Sequence, residues 1–468
     1  MIRGEDALMM RAANSLHGQF SEDLMKVLWL SNYIPEKAAQ CLGIEDDSKA
    51  GMAEGMLSAL ASYSEDIELG IAFPVPEQFD GKRGSFKMSD DSEFSVSCYP
   101  FYEDMSRPDN FDLTLISSMN RILDEFRPDV IHILGTEFPH ALAMSKAATD
   151  DDFHYHPGRE RLLVSFRGIC AAIAADYLAC LPDEIVSSST LRDTLLRDNI
   201  RQQQDKFHNR AVNELEAVSR AGHIGGCTGL DKKWASRLGP EAQYHHLSEA
   251  VRPVFYEPVP AGNERDRNTI FVAGAYYPLK GFHILLKALK DINWPELKVR
   301  VAGPDIVSMN TLKDKVKISE YGKYLGELIE GCNLQGKITF LGNISAQQMR
   351  EEYLKCGMYV CPSTVENTPN PVIEAALSEA PIIASRVGGI PDIIDDKNQC
   401  LLYDCNARKQ MDEVAASLRK MIEFTKIDYD RALERGKAAR ARALKDHDPK
   451  TVAAGLTDIY RNMIRENS

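Results

Sequence analysis

Short apolar runs alternate along the whole chain with longer stretches whose apolar residues recur at helical spacing. That alternation is the pattern of βαβ units around a largely parallel sheet, so the chain is predicted to be α/β throughout. In the first half the pattern predicts strands over 26–32, 67–74, 93–100, 130–135, 162–168, 184–189 and 223–228, with helices over 113–126 and 201–221 among the intervening segments. In the second half it predicts strands over 269–275, 298–303, 337–342, 358–362, 381–384 and 400–403, each followed by a turn and usually a helix.

The break between the halves falls at 253–267, PVFYEPVPAGNERDR, where three prolines, a glycine and a charge run replace apolar periodicity. Such a segment reads as an interdomain linker. The predicted organisation is a first domain over 1–255, a second over 256–445, and a last helix over 446–468 that packs back on the first domain. Segment 429–468 is helical by composition, with an interruption at 446–449. Two doubly wound domains of similar size imply a ligand in the cleft between them, because parallel sheets bind ligands at the carboxyl ends of their strands.

Composition narrows the function. The 468 residues carry 55 Lys and Arg against 69 Asp and Glu, a net charge of −14. An acidic chain repels the phosphate backbone, which argues against a dedicated nucleic-acid binder. Arg3, Glu5, Asp6 and Arg11 interrupt the apolar residues of 1–20, so no export signal is predicted there. The most apolar stretch, 169–181, is broken by Asp176 and too short to span a membrane. The ten cysteines lie scattered, mostly in apolar runs, with no CxxC pair, and read as buried reduced thiols of a cytoplasmic protein. Asp150, Asp151 and Asp152 follow no strand and read as solvated surface, so no metal site is expected.

Two segments carry chemistry. Segment 269–289, TIFVAGAYYPLKGFHILLKAL, is a buried strand, a loop ending in Lys280 and Gly281, and a helix. A helix start beside a lysine suits a phosphate or diphosphate, although from this segment alone a solvated loop cation is the safer reading, since strand, loop, Lys-Gly and helix is a common arrangement. Segment 358–394 is more specific. Seven residues separate Glu366, in the loop after a strand, from Glu374, in the following helix. The turn between them, Asn367 to Pro371, offers backbone amides to a phosphate or sugar, and the two carboxylates can accept hydrogen bonds from vicinal hydroxyls. The competing role for these acids is helix capping.

The run from Phe340-Leu341-Gly342 through Cys361-Pro362-Ser363, Glu366 to Glu374, Ala380 to Ser385 and Gly388-Gly389-Ile390-Pro391 resembles the donor domain of the family 4 retaining glycosyltransferases, with the motifs in order over about 269–403. The resemblance implies the GT-B architecture, two facing Rossmann-like doubly wound domains with an interdomain cleft. It implies that Glu374 binds the nucleotide ribose, Glu366 the transferred sugar and Lys280, with Gly281, the diphosphate. Asn367 and Thr368 would lie near the sugar and phosphates, and Gly342 and Asn343 near the base. In the first half, Arg127-Pro128-Asp129-Val130-Ile131-His132 and Gly135-Thr136-Glu137 match more loosely, and make His132 a candidate catalytic residue and Glu137 a candidate cleft residue. A structural role for His132 carries about equal weight.

Departures accompany the match. Ala275 stands where many relatives carry an arginine that clamps the diphosphate, Leu134 where many have a second histidine, and Cys227 where the nearer branch has arginine. Arg167 is the candidate to supply the missing cation from the opposite domain. The glycine-rich loop of relatives has only Gly51 and Gly55 as candidates, and the basic run from Arg431 to Lys445 could touch anionic lipid, or be a solvated helix face. The implied activity is transfer of a hexosyl group from a UDP- or GDP-linked sugar to a saccharide or lipid-linked acceptor with retention of configuration, without cofactor or metal, in polysaccharide or glycoconjugate assembly in the cytoplasm, with peripheral membrane association suiting a lipid-linked acceptor. The departures leave a second reading, a catalytically silent protein of the same fold that partners an active transferase, and a weaker third, a phosphorylase or epimerase.

Overall fold

The computed structural model describes residues 24–44, 51–89, 93–309, 311, 316–405 and 410–466. The export-signal expectation over 1–20 lies outside them. The first domain is built on β1 (Met25–Ser31), β2 (Ile67–Val75), β3 (Gly84–Lys87), β4 (Ser95–Tyr102), β5 (Val130–Leu134), β6 (Leu162–Ser165), β7 (His223–Gly226) and β8 (Gln243–His246). They form one sheet in the order β3-β4-β2-β1-β5-β6-β7-β8, parallel except where β3 runs against β4. The second domain holds β9 (Asp266–Val272), β10 (Lys298–Val301), β11 (Ile338–Phe340), β12 (Cys356–Cys361), β13 (Ile382–Ser385) and β14 (Leu401–Tyr403), in the order β11-β10-β9-β12-β13-β14. All its pairings are parallel.

Burial explains these elements. The inner strands β5, β6, β12 and β13 are buried at every position, as sheets covered by helices on both faces require. The expected strand over 184–189 is instead a helix, Asp183–Ser187, because Pro182 precedes it and Asp183 and Glu184 fill its first turn, where acids favour a helix start. Two strands escape the apolar pattern. β8 buries none of its four residues and β3 only Phe86, since edge strands need little apolar surface.

One face of the first sheet packs on the helices Gly51–Tyr63 and Pro449–Arg465. In the latter, Val452, Leu456, Tyr460 and Met463 are buried in the first domain's core. The chain passes between domains through 253–267, which is tied down at points along its length: Phe255 is fully buried and Arg265 Nη2 donates to the Ser378 carbonyl at 2.7 Å, while Ala261 and Gly262 are exposed. The domains also share a core, because Tyr177, Cys180, Val186 and Ile200 of the first half pack among residues of the helix Phe282–Leu289. Asp193 Oδ2 accepts from the Glu320 amide at 2.7 Å across the same boundary.

Gly51 and Gly55 lie within a helix, and a Cβ on Gly55 would stand 2.3 Å from the Ala250 carbonyl, so this glycine serves close packing. In the basic helix Tyr429–Asp446, Arg435 donates to the Lys397 carbonyl at 2.8 Å, Arg440 to the Glu257 carbonyl at 2.9 Å, and Arg442 pairs with Asp446 at 3.0 Å. Arg435 and Arg440 of that basic run are therefore tied to the rest of the fold, and Arg442 pairs along its own helix. Among the described residues no helix is long and apolar enough to cross a membrane. The ten cysteines are free, and Cys41 is exposed.

Candidate functional site

Loops at the carboxyl ends of both sheets enclose two adjoining cavities. The larger, about 320 Å³, is lined by Gly342, Asn343, Tyr276, Asn370 and Glu374 of the second domain together with Arg167 and Arg252. The smaller, about 190 Å³, is lined by Lys280, Glu366, Asn367 and Tyr277 on one side and by Arg167, Ile169 and Ile173 on the other. Arg167 reaches both, and so stands where the first domain meets each half of the site.

Lys280 is brought to Glu366 by glycine. The turn Pro278–Lys280 ends at Gly281, whose φ is +64° and where a Cβ would fall 1.9 Å from the Pro362 carbonyl oxygen. Without a side chain there, the loops after β9 and β12 press together, and the Thr364 amide donates to the Leu279 carbonyl at 2.8 Å. Lys280 Nζ then donates to Glu366 Oε1 at 2.6 Å, and Ser363 Oγ to the same oxygen at 2.7 Å. Burial acts against the Lys280 ammonium, but the Glu366 carboxylate outweighs it and holds the lysine above its ordinary pKa. Gly388, at φ +53°, packs as closely on the other side, its missing Cβ leaving room for the Glu366 carbonyl.

Glu374 lies on the helix Asn370–Leu377 and is 4% exposed. Arg252 Nη2 donates to its Oε1 at 2.6 Å, and Tyr353 Oη to its Oε2 at 3.4 Å. Burial raises the Glu374 carboxyl, and Arg252 opposes that rise. In the turn between the two carboxylates, Thr368 Oγ1, Asn370 Oδ1 and both amide atoms of Asn367 are enclosed and meet no protein hydrogen-bond partner. Arg167 Nε is in the same condition. Enclosed polar groups are normally satisfied, so this convergence marks a place built for a polar ligand.

Other expected residues fall differently. His132 is withdrawn from the cleft: it sits mid-strand in β5, fully buried, hydrogen-bonded at 2.7 Å to Tyr460 Oη and at 2.7 Å to Ser165 Oγ. Burial pushes it down to about 3, so it is a neutral core histidine. Gly281 shapes the loop by packing. Glu137 lines neither cavity; its carboxylate accepts from Asn32 at 2.8 Å and lies against Gly135 and Gly168. Ala275 is buried, and the cavity wall is formed by its neighbour Tyr276. Tyr276 and Tyr277 were not singled out by sequence; Asn370 was read only for the backbone of its turn and Arg252 only as part of the looser first-half resemblance. The adjacent tyrosines, about half exposed with ring centroids 4.5 Å apart, were legible as aromatics in a phosphate-side loop. Among the described residues no three His, Cys, Asp or Glu side chains stand together as metal ligands.

Two facing, mostly parallel α/β sheets with the site between them define the GT-B architecture. Residues 257–441, most of the second domain, match the family described as Glycosyl transferases group 1. The chain is 25% identical over 244 residues to the GDP-mannose-dependent alpha-(1-6)-phosphatidylinositol monomannoside mannosyltransferase of Mycobacterium tuberculosis, a match covering 49% of this chain and 58% of that protein. It is 30% identical over 122 residues to the alpha-maltose-1-phosphate synthase of Mycolicibacterium smegmatis, covering 26% of this chain and 31% of that one. The chain thus spans little more than half the length of the first of these relatives, and less of the second. Among solved structures, sucrose-phosphate synthase from Thermosynechococcus elongatus superposes with a TM-score of 0.67 at 14% identity over 94% of this chain and all of that one. The Anabaena protein HepE in complex with UDP-glucose does so with a TM-score of 0.59 at 17% identity, again over 94% of this chain and all of that one.

Proposed function

We propose that the protein transfers a hexosyl group from a nucleotide sugar, UDP- or GDP-linked, to a saccharide or lipid-linked acceptor with retention of configuration. The observation that carries this reading is the pair Glu366 and Glu374, each set against one cation at 2.6 Å on either side of a turn of unpartnered polar atoms. The base would lie against Gly342 and Asn343, the ribose on Glu374, and the diphosphate between Lys280, Arg167 and the start of the helix Asn370–Leu377. Glu366 would hold the sugar. Cations and helix-start amides fixed in place before reaction stabilise charge as it develops on the leaving diphosphate, with no metal required. As the bond from the anomeric carbon to the phosphate oxygen breaks, the acceptor oxygen bonds to that carbon on the same face, and its proton passes to the departing phosphate. His132, in the core, takes no part. The mannosyltransferase relative, named for a phosphatidylinositol-linked acceptor, and the UDP-glucose complex of HepE support donor and acceptor classes of this kind. Work on a lipid-linked acceptor would place the protein at the inner face of a membrane, in the cytoplasm.

The test is thermal stability with UDP, GDP, ADP, CMP and their common sugar conjugates. A ligand at 100 times its dissociation constant adds about 2.7 kcal/mol. Selective stabilisation by one base is the expected result and names the donor; no response to any of them overturns the reading.

A further inference from the structure

Arg252 reaches Glu374 from outside the second domain. It immediately precedes the turn Pro253–Tyr256, in the connection between the sheets, and its guanidinium lies over the ring of Phe255 at 5.1 Å. Phe255 is fully buried in the second domain's core, which anchors the cation. The ion pair is enclosed, with side chains 13% and 5% exposed. An ionised carboxylate has about four lone-pair sites. Arg252 takes one on Oε1 and Tyr353 one, at long range, on Oε2. Each oxygen therefore keeps acceptor capacity that no protein donor uses, and Glu374 lines the larger cavity, so two vicinal hydroxyls could be accepted with the arginine in place.

We propose that Arg252 is a positioning residue for the donor: it holds the Glu374 carboxylate charged and turned into the cavity, so that a ribose diol is gripped only when the connection between the domains is seated. The role rests on the reading of Glu374 as the diol acceptor. The groups facing Glu374 are Arg252 and Tyr256 from the connection, Tyr353 from the helix Ala346–Lys355, and Arg167 from the far wall of the cavity. Burial favours the protonated acid and Arg252 opposes it. Without the arginine, burial goes unopposed, the carboxyl takes its proton at higher pH, and a diol loses its acceptor.

The experiment is calorimetric titration of UDP, GDP and ADP, and of the 2′,3′-dideoxy form of whichever binds, into the full chain carrying Arg252→Met, Arg252→Lys or Glu374→Gln. Arg252→Met should weaken the ribonucleotide by about tenfold or more near neutral pH. The loss should deepen as pH falls from about 8 to about 6. The dideoxy compound should change by less than about twofold, because it never used the carboxylate. Arg252→Lys should recover part of the loss, and Glu374→Gln should show a loss that does not vary with pH. Equal weakening of both compounds, or an Arg252→Met profile parallel to that of the unaltered protein, overturns the positioning role while leaving the donor reading intact. An unaltered protein that binds none of the three nucleotides overturns the donor reading, and this role with it.

Discussion

Glu366 and Glu374 are each paired with a cation at 2.6 Å, yet the two pairs are assembled differently. Lys280 and Glu366 rise from the ends of β9 and β12, neighbours in one sheet, so the second domain builds that pair alone. Arg252 and Glu374 join the interdomain connection to the helix Asn370–Leu377. Lys280 is about a third exposed and open to the smaller cavity, whereas both members of the other pair are enclosed. On the proposed reading the difference separates two tasks: charge handling at the reacting centre would be local, and the grip on the nucleotide would depend on how the two domains meet.

The largest expected effect separates those tasks. Glu366→Ala should cut sugar transfer by about a hundredfold to a thousandfold while leaving nucleoside diphosphate affinity nearly unchanged, and Glu374→Ala should weaken nucleotide affinity by about tenfold or more. Calorimetry beside a transfer assay decides it, the residual Glu374→Ala affinity being that of a nucleotide without its ribose contacts; losses that track each other in both variants would erase the distinction. Next in size is stability. Arg252→Met leaves an enclosed carboxylate alone and should cost about 3 kcal/mol in denaturant unfolding, most of it recovered by adding Glu374→Gln. Lys280→Met, at a more open pair, should cost only about 1 kcal/mol. Equal costs would mean that exposure does not distinguish the pairs.

The smallest effect concerns the cleft wall beside Arg167. Burial pushes the Glu249 carboxyl up to about 8, with Arg167 opposing. An acid raised in the fold contributes stability that is complete below its ordinary pKa of 4.5 and is lost as pH rises through about 8. Glu249→Gln should therefore melt with the unaltered protein in acid and progressively above it toward alkaline pH, as scanning calorimetry across pH would register. A constant difference at all pH values would mean that the carboxyl is not held neutral.

Legibility in sequence follows the range of the interaction. The six strands of the second domain stand out because each is a short apolar run bounded by turns, and Lys280, Glu366 and Glu374 stand out because they follow strands within recognisable local segments. Arg252 lies 122 residues from its partner, and nothing in its own neighbourhood signals a carboxylate. His132 misleads for the opposite reason: a histidine among Ile131, Ile133 and Leu134 looks the same whether its ring faces a ligand or, as here, a tyrosine from the last helix. The edge strands β3 and β8 hide because Phe86 is the single buried residue among their eight, so neither forms an apolar run.

That last helix sets an order of events in synthesis. Tyr460 accepts a hydrogen bond from Trp29 at 2.8 Å in the middle of the first domain's core, and Thr457 meets Ser64 at 3.0 Å beside it. Domains generally fold as they leave the ribosome, amino-terminal first. Here the domain translated first has an apolar groove over Trp29 and Leu60 that only residues 449–465 can fill, and those are translated after the whole second domain. The nascent first domain stays partly open until residues 449–465 have been made, and the two lobes reach their final form together.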